Sequence, residues 1–178
     1  MPHRDHSTFR EGLLAGLMGG LIVAAWYFAV DLGRGELLYT PNVLGQVFAQ
    51  ADTIPSTRTV TSPAVVQYSL LHFGWFFAFG IALAALTHLA IRNPQFRMGV
   101  WLLLVIGFAL WLGISYTLYR LTDQRLPWWT LLGGSVLGIG SMGLYLWRRH
   151  PALGSSMRHR PLGAEVKPPP HPPGGPRA

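Results

Sequence analysis

From Gly12 to Val30 the chain runs for 19 residues, GLLAGLMGGLIVAAWYFAV, without one charged side chain. A helix of that length is about 28 Å long, close to the ~30 Å hydrocarbon thickness of a bilayer. Further apolar stretches follow, so the spans are placed at 12–31, 63–91, 98–119 and 127–147. The first has too long an apolar core for a cleaved leader, and Trp26-Tyr27-Phe28 stands where the small residues of a cleavage site belong. The second opens on Pro63 behind Ser62, a good helix start, and stops before Arg92-Asn93-Pro94. Composition agrees: 12% of the 178 residues are charged, about half the share in soluble domains. The expected fold class is all-α, an integral membrane four-helix bundle over residues 1–149. Residues 150–178 hold eight of the fourteen prolines. They cannot bury enough apolar surface to offset their ordering entropy, and are expected to form a disordered tail.

Orientation follows from arginine and lysine. With the N-terminus inside, ten basic residues fall on the inner side and four on the outer, and the whole net charge of +7 lies inside. The lysine–arginine bias therefore puts both termini in the cytoplasm. Because these residues flank apolar runs and do not cover a water-facing fold, they argue against nucleic-acid binding. Trp26, Tyr27, Tyr116, Tyr119, Trp128 and Trp129 are expected near the outer interface, and Trp101, Tyr145 and Trp147 near the inner one. Trp75 and Trp111 fit neither belt and are expected to pack at hydrocarbon depth.

Small residues recur every fourth position on the first span: Gly12, Gly16, Gly20 and Ala24. Lipid supplies no hydrophobic force between helices, so close backbone approach has to hold them together. Gly74, Ala78 and Ala82 make a similar strip on the second span, and Gly134 and Gly138 on the fourth. These strips are read as packing within the bundle, with pairing between molecules as the alternative.

His72 and His88 are the ligand candidates. They lie 16 residues apart on one helix, about 24 Å in height and roughly 160° around its axis. No other span offers a second histidine for a bis-histidine haem, so a structural or interfacial role is expected. His3, Asp5 and His6 are read as a solvated arm. No acidic or basic residue falls at the centre of any span, against ion-coupled transport. The absence of cysteine excludes thiol chemistry and cysteine-ligated metal. No catalytic, cofactor or metal residue is assigned.

The loop from Asp31 to Ser62 is long. Thr40 as cap and Pro41 as first helical residue introduce NVLGQVFAQ, in which Val43, Leu44, Val47 and Phe48 share a face. A short amphipathic helix at the outer leaflet is expected over 41–50, as a structural cover over the outer helix ends, with a lid or docking element as the alternative. Asp31, Glu36, Asp52 and Asp123 are read as a solvated rim paired with arginines.

The stretch AGLMGGLIVAAWYFAVDLGRGELLYTPNVLG, with its Trp-Tyr-Phe, its helix-terminal Asp and its Gly-x-x-x-Tyr-Thr-Pro-x-x-Leu-Gly run, resembles an uncharacterised family of small bacterial four-helix inner-membrane proteins. The likeness covers about residues 10–45 and, more loosely, HFGWFFAFG in the second span. It implies a four-helix bundle in a bacterial inner membrane and brings no activity, cofactor or catalytic residue. The functional expectation is a non-enzymatic scaffold or accessory subunit in the lipid bilayer. It would pack through its Gly/Ala faces against a second copy or a larger membrane complex. The alternative is a cofactor-, lipid- or small-ligand-binding bundle or a passive pore.

Overall fold

The computed structural model describes residues 8–50, 59–92, 106, 109, 112–122 and 125–150. Among these every regular element is a helix: α1 (Thr8–Gly33), α2 (Tyr39–Gln50), α3 (Ser62–Arg92), α4 (the helical stretch 112–121) and α5 (Trp128–Arg149). Three of them, α1, α3 and α5, are long and apolar enough to cross a membrane. They coincide with the first, second and fourth expected spans. Most of the third, 98–119, lies outside the described residues, as do the tail beyond His150 and the arm holding His3 and His6.

α1 is the central helix, with α3 and α5 both antiparallel to it. Against α3, Gly12 meets the backbone of Gly80 and Ile81, Gly16 meets Phe76 and Phe77, and Gly20 meets Phe73. A Cβ at Gly16 would come within 2.9 Å of the Phe77 Cα, and one at Gly80 within 2.6 Å of the Gly16 nitrogen. Helix backbones approach this closely only where side chains are absent, so the expected strip on α1 is the α1–α3 contact.

The strip named on α3 is not its counterpart. A Cβ at Gly74 would meet nothing within 4 Å among the described residues, and Ala78 and Ala82 are exposed. The row that faces α1 is His72, Phe76, Gly80, Ala84 and His88. The row facing α1 need not be small throughout, because a bare groove on α1 accepts a large residue. The Phe76 ring fills that groove where Cβ atoms at Gly19 and Gly138 would stand within 3.1 and 3.2 Å of it.

α5 lies on α1 in steps of four on both helices. Gly134 sits at Tyr27, Gly138 at Val23 and Met142 at Gly19. Leu146 and Ala15 share a small buried cluster, and His150 reaches Glu11. Gly134 and Gly138 thus lie against α1 side chains.

α1 ends in a Schellman turn. Glu36 N–H donates to the Asp31 carbonyl at 3.0 Å and Gly35 N–H to the Leu32 carbonyl at 3.0 Å. Gly35 takes φ +73°, which a residue without Cβ adopts freely. The turn delivers the chain to α2, and Asp31 caps it. The Asp31 carboxylate accepts from the Thr40 N–H at 2.8 Å and the Thr40 hydroxyl at 2.6 Å. Thr40 is therefore the capped residue, because α2 starts one residue earlier and the cap comes from α1. Asp31 is fully buried, so it does not belong to a solvated rim.

α2 forms where the loop was expected to hold a helix, and it lies against α1 and α3. Asn42 is buried; its Oδ1 accepts from the Thr61 N–H at 2.9 Å, and its Nδ2 donates to the Thr59 carbonyl at 3.3 Å. Gly45 rests on the backbone of Ala64. Val43 and Leu44 are buried as expected, whereas Phe48 is exposed. Polar Thr40, Asn42 and Gln46 are buried because they tie α2 to its neighbours.

Candidate functional site

Two polar arrangements lie inside the bundle, one near the α2 end and one at the opposite end. The first begins with His72, whose Nε2 is 3.1 Å from the Gly20 carbonyl oxygen. A carbonyl only accepts, so Nε2 carries the hydrogen and Nδ1 is an acceptor. The Tyr68 hydroxyl, 3.3 Å from Nδ1, donates there. A directed chain results, Tyr68 to His72 to Gly20. Tyr68 also packs against the buried cluster that holds Tyr27.

These rings form one wall of an apolar cavity of about 350 Å³ between α1, α2, α3, α4 and α5. Val23, Leu44, Trp75, Ile114 and Leu131 supply apolar lining, and Ser115 adds a hydroxyl. The Ser115 Oγ is buried and has no hydrogen-bond partner among the described residues. The Ser115 hydroxyl is therefore available to a ligand, and the hydroxyl-bearing Tyr27 and Tyr68 line the same cavity. Trp75, expected to pack at hydrocarbon depth, lines the cavity and is otherwise exposed. Tyr27, expected at the outer interface, is buried inside. Trp26 stays at that end, where its Nε1 donates to the Thr130 carbonyl at 2.9 Å and its ring meets Trp129 edge-on.

The second arrangement joins Glu11, His88 and His150. Glu11 Oε2 is 2.8 Å from His88 Nε2 and 3.1 Å from His150 Nε2. The imidazoles stand edge to face with centroids 5.0 Å apart. His88 Nδ1 lies 3.3 Å from the Thr8 hydroxyl. The Thr8-x-x-Glu11 spacing is that of a capping box, but both side chains turn to His88. Each residue of the trio comes from a different helix: α1, α3 and the end of α5.

Of the two histidines singled out from the sequence, each is in one of these arrangements, and the two do not meet. Both contact α1 despite their angular separation, because the row 72, 76, 80, 84, 88 winds around α3 along the crossing line. Sequence reasoning missed Glu11 and His150 as partners. His150 was assigned to the tail, yet its N–H continues the helix, donating to the Leu146 carbonyl at 2.9 Å. The available signal was position: Glu11 immediately precedes the first span and His150 immediately follows the last.

Comparison of the chain with protein-family models, with curated proteins and with solved structures finds no match.

Proposed function

We propose that this protein is a four-span bundle of a bacterial inner membrane, both termini cytoplasmic, that binds an apolar molecule bearing a hydroxyl head. The observation that carries this reading is the apolar cavity lined by the unpartnered Ser115 hydroxyl together with Tyr27 and Tyr68. Its volume is in the range of small-molecule sites, which start at about 300 Å³. An apolar lining with a few convergent polar atoms suits a ligand that is mostly hydrocarbon. A ligand hydroxyl would accept from Ser115 and donate to a tyrosine oxygen. The glycine strips support a binding bundle over a scaffold, since those on α1 and α5 are used inside the molecule.

The test is binding of a long-chain primary alcohol to the purified protein in detergent. Wild type should hold about one molecule per chain. Ser115→Ala should weaken binding about tenfold, as expected for about 1.4 kcal/mol of lost hydrogen bonding. Ser115→Phe, which fills the cavity, should abolish it. Unchanged binding by Ser115→Phe refutes the reading.

The accessory-subunit reading keeps one observation of its own, the exposed Gly74, Ala78 and Ala82 face. It requires the purified chain to be empty and Ala78→Cys to cross-link to a neighbour in native membranes.

A further inference from the structure

We propose that Glu11, His88 and His150 form a binding site for one divalent transition-metal ion at the end of the bundle opposite α2. The site is separate from the cavity and does not depend on what the cavity holds. Two imidazoles and one carboxylate are a donor set suited to zinc and to divalent iron or cobalt. One ligand atom from each residue lies within 4.8 Å of the other two. Both histidines point Nε2 at the same carboxylate oxygen, at 2.8 and 3.1 Å. Ligand atoms around a tetrahedral zinc, with bonds of about 2.0–2.2 Å, stand about 3.3–3.5 Å apart. The two carboxylate edges, at 2.8 and 3.1 Å, therefore need to open by about 0.2–0.7 Å.

Both imidazoles have to move the Nε2 hydrogen to Nδ1 to bind an ion, and at His88 the acceptor for that hydrogen is already in place. While His88 Nε2–H donates to Glu11, its Nδ1 accepts from the Thr8 hydroxyl. An ion at Nε2 requires the other tautomer, with the hydrogen on Nδ1. The Thr8 oxygen can then accept that hydrogen, because a hydroxyl both donates and accepts. Such an orienting partner on the far ring nitrogen is the usual companion of a metal-binding histidine. His88 changes tautomer and no proton is lost from it.

The surroundings fit as well. One turn deeper into the bundle from the three ligands lie Ala15, Ala84 and Leu146, which form a buried apolar cluster. The same three helices thus supply both the ligands and an apolar floor that holds water back from one side. With three protein ligands, a tetrahedral ion keeps one position for water or another ligand. The ion also ties α1, α3 and α5 together at this end, so binding and bundle stability are linked.

Two explanations compete with the site. Hydrogen bonds alone could pin the helices, and the histidines near the two ends of the sequence, His3, His6, His159 and His171, could collect metal by themselves. The experiment uses the full-length protein in detergent, titrated with zinc and, separately, with cobalt, whose visible absorption reports coordination geometry. Wild type should bind one ion per chain, show cobalt bands and gain thermal stability with zinc. Glu11→Gln and His150→Gln should each weaken zinc binding at least a hundredfold and remove the zinc-dependent stabilisation. Thr8→Val should weaken it about ten- to a hundredfold, as a lost orienting partner does. His150→Gln changes only the residue after the last helical turn, and far-UV circular dichroism checks that it folds. A chain with His3, His6, His159 and His171 all changed to alanine should bind as wild type does. The proposal is overturned if wild type binds no ion, if Glu11→Gln and His150→Gln bind as tightly as wild type, or if the four-alanine chain loses binding.

Discussion

Replacing Gly16 with alanine adds one methyl group at the tightest point between α1 and α3. That methyl would run into the Phe76 carbonyl and stand within 2.9 Å of the Phe77 Cα. Backbone atoms of a helix cannot swing aside, so the two helices have to separate along the whole crossing. Overpacking of this kind costs about 1–3 kcal/mol. At the middle of that range the ratio of folded to unfolded protein falls roughly thirtyfold. Gly20→Ala should cost less, because its new Cβ meets the Phe73 ring at 3.0 Å and a ring can turn. Gly74→Ala meets nothing among the described residues and should be neutral, or stabilising by up to about 0.5–1 kcal/mol through helix propensity. The assay is reversible unfolding in mixed micelles by increasing the fraction of denaturing detergent, followed by far-UV circular dichroism. The expected order of stability is Gly74→Ala, then Gly20→Ala, then Gly16→Ala. Equal stabilities for Gly16→Ala and Gly74→Ala, within about 0.5 kcal/mol, would refute the assigned α1–α3 contact.

Asp31→Ala should loosen α2, since it strands the buried Thr40 N–H and hydroxyl; at about 1.5–3 kcal/mol for hydrogen bonds to a charged group, amide exchange across 39–50 should speed at least tenfold, and unchanged exchange would show that the cap is not holding the helix. Single cysteines at exposed Glu36 and Arg148 should react with impermeant maleimide from opposite sides of the membrane, Glu36→Cys from outside and Arg148→Cys from the cytoplasm, and the reverse pattern would invert the orientation.

Much of the helical layout could be read from residue order. Apolar length marked α1, α3 and α5, and Thr40-Pro41 pointed to α2 within a residue or two. The α1 contact strip was also legible, because glycine at every fourth position leaves few alternatives. Its partner row was not. Phe76 looks like a lipid-facing residue until the groove that receives it is known, and Gly80 stood alone with no small neighbour four residues before it. Asp31 posed a related problem: a carboxylate at the end of a span reads as solvated unless the turn at Gly35 is seen to bring Thr40 back to it. The polar trio was the least legible. Glu11 and His150 are 139 residues apart, and no local periodicity links them. Only the antiparallel arrangement of α5 on α1, which follows from three-dimensional packing, brings them together.

The four-step pairing of α5 with α1 also bears on how this molecule meets bilayers of different thickness. A slip of one turn, about 5.4 Å, in one direction would set Met142 against Val23 and His150 against Ala15. In the other direction it would set Gly138 against Gly19, leaving a gap, and Leu146 against the Glu11 carboxylate. Both slips lose the fit of large against small and the polar contact at the end. The pair behaves as a key cut to one depth, so its hydrophobic length is fixed. A thinner or thicker membrane has to be met by tilting the whole bundle or by deforming the lipid around it.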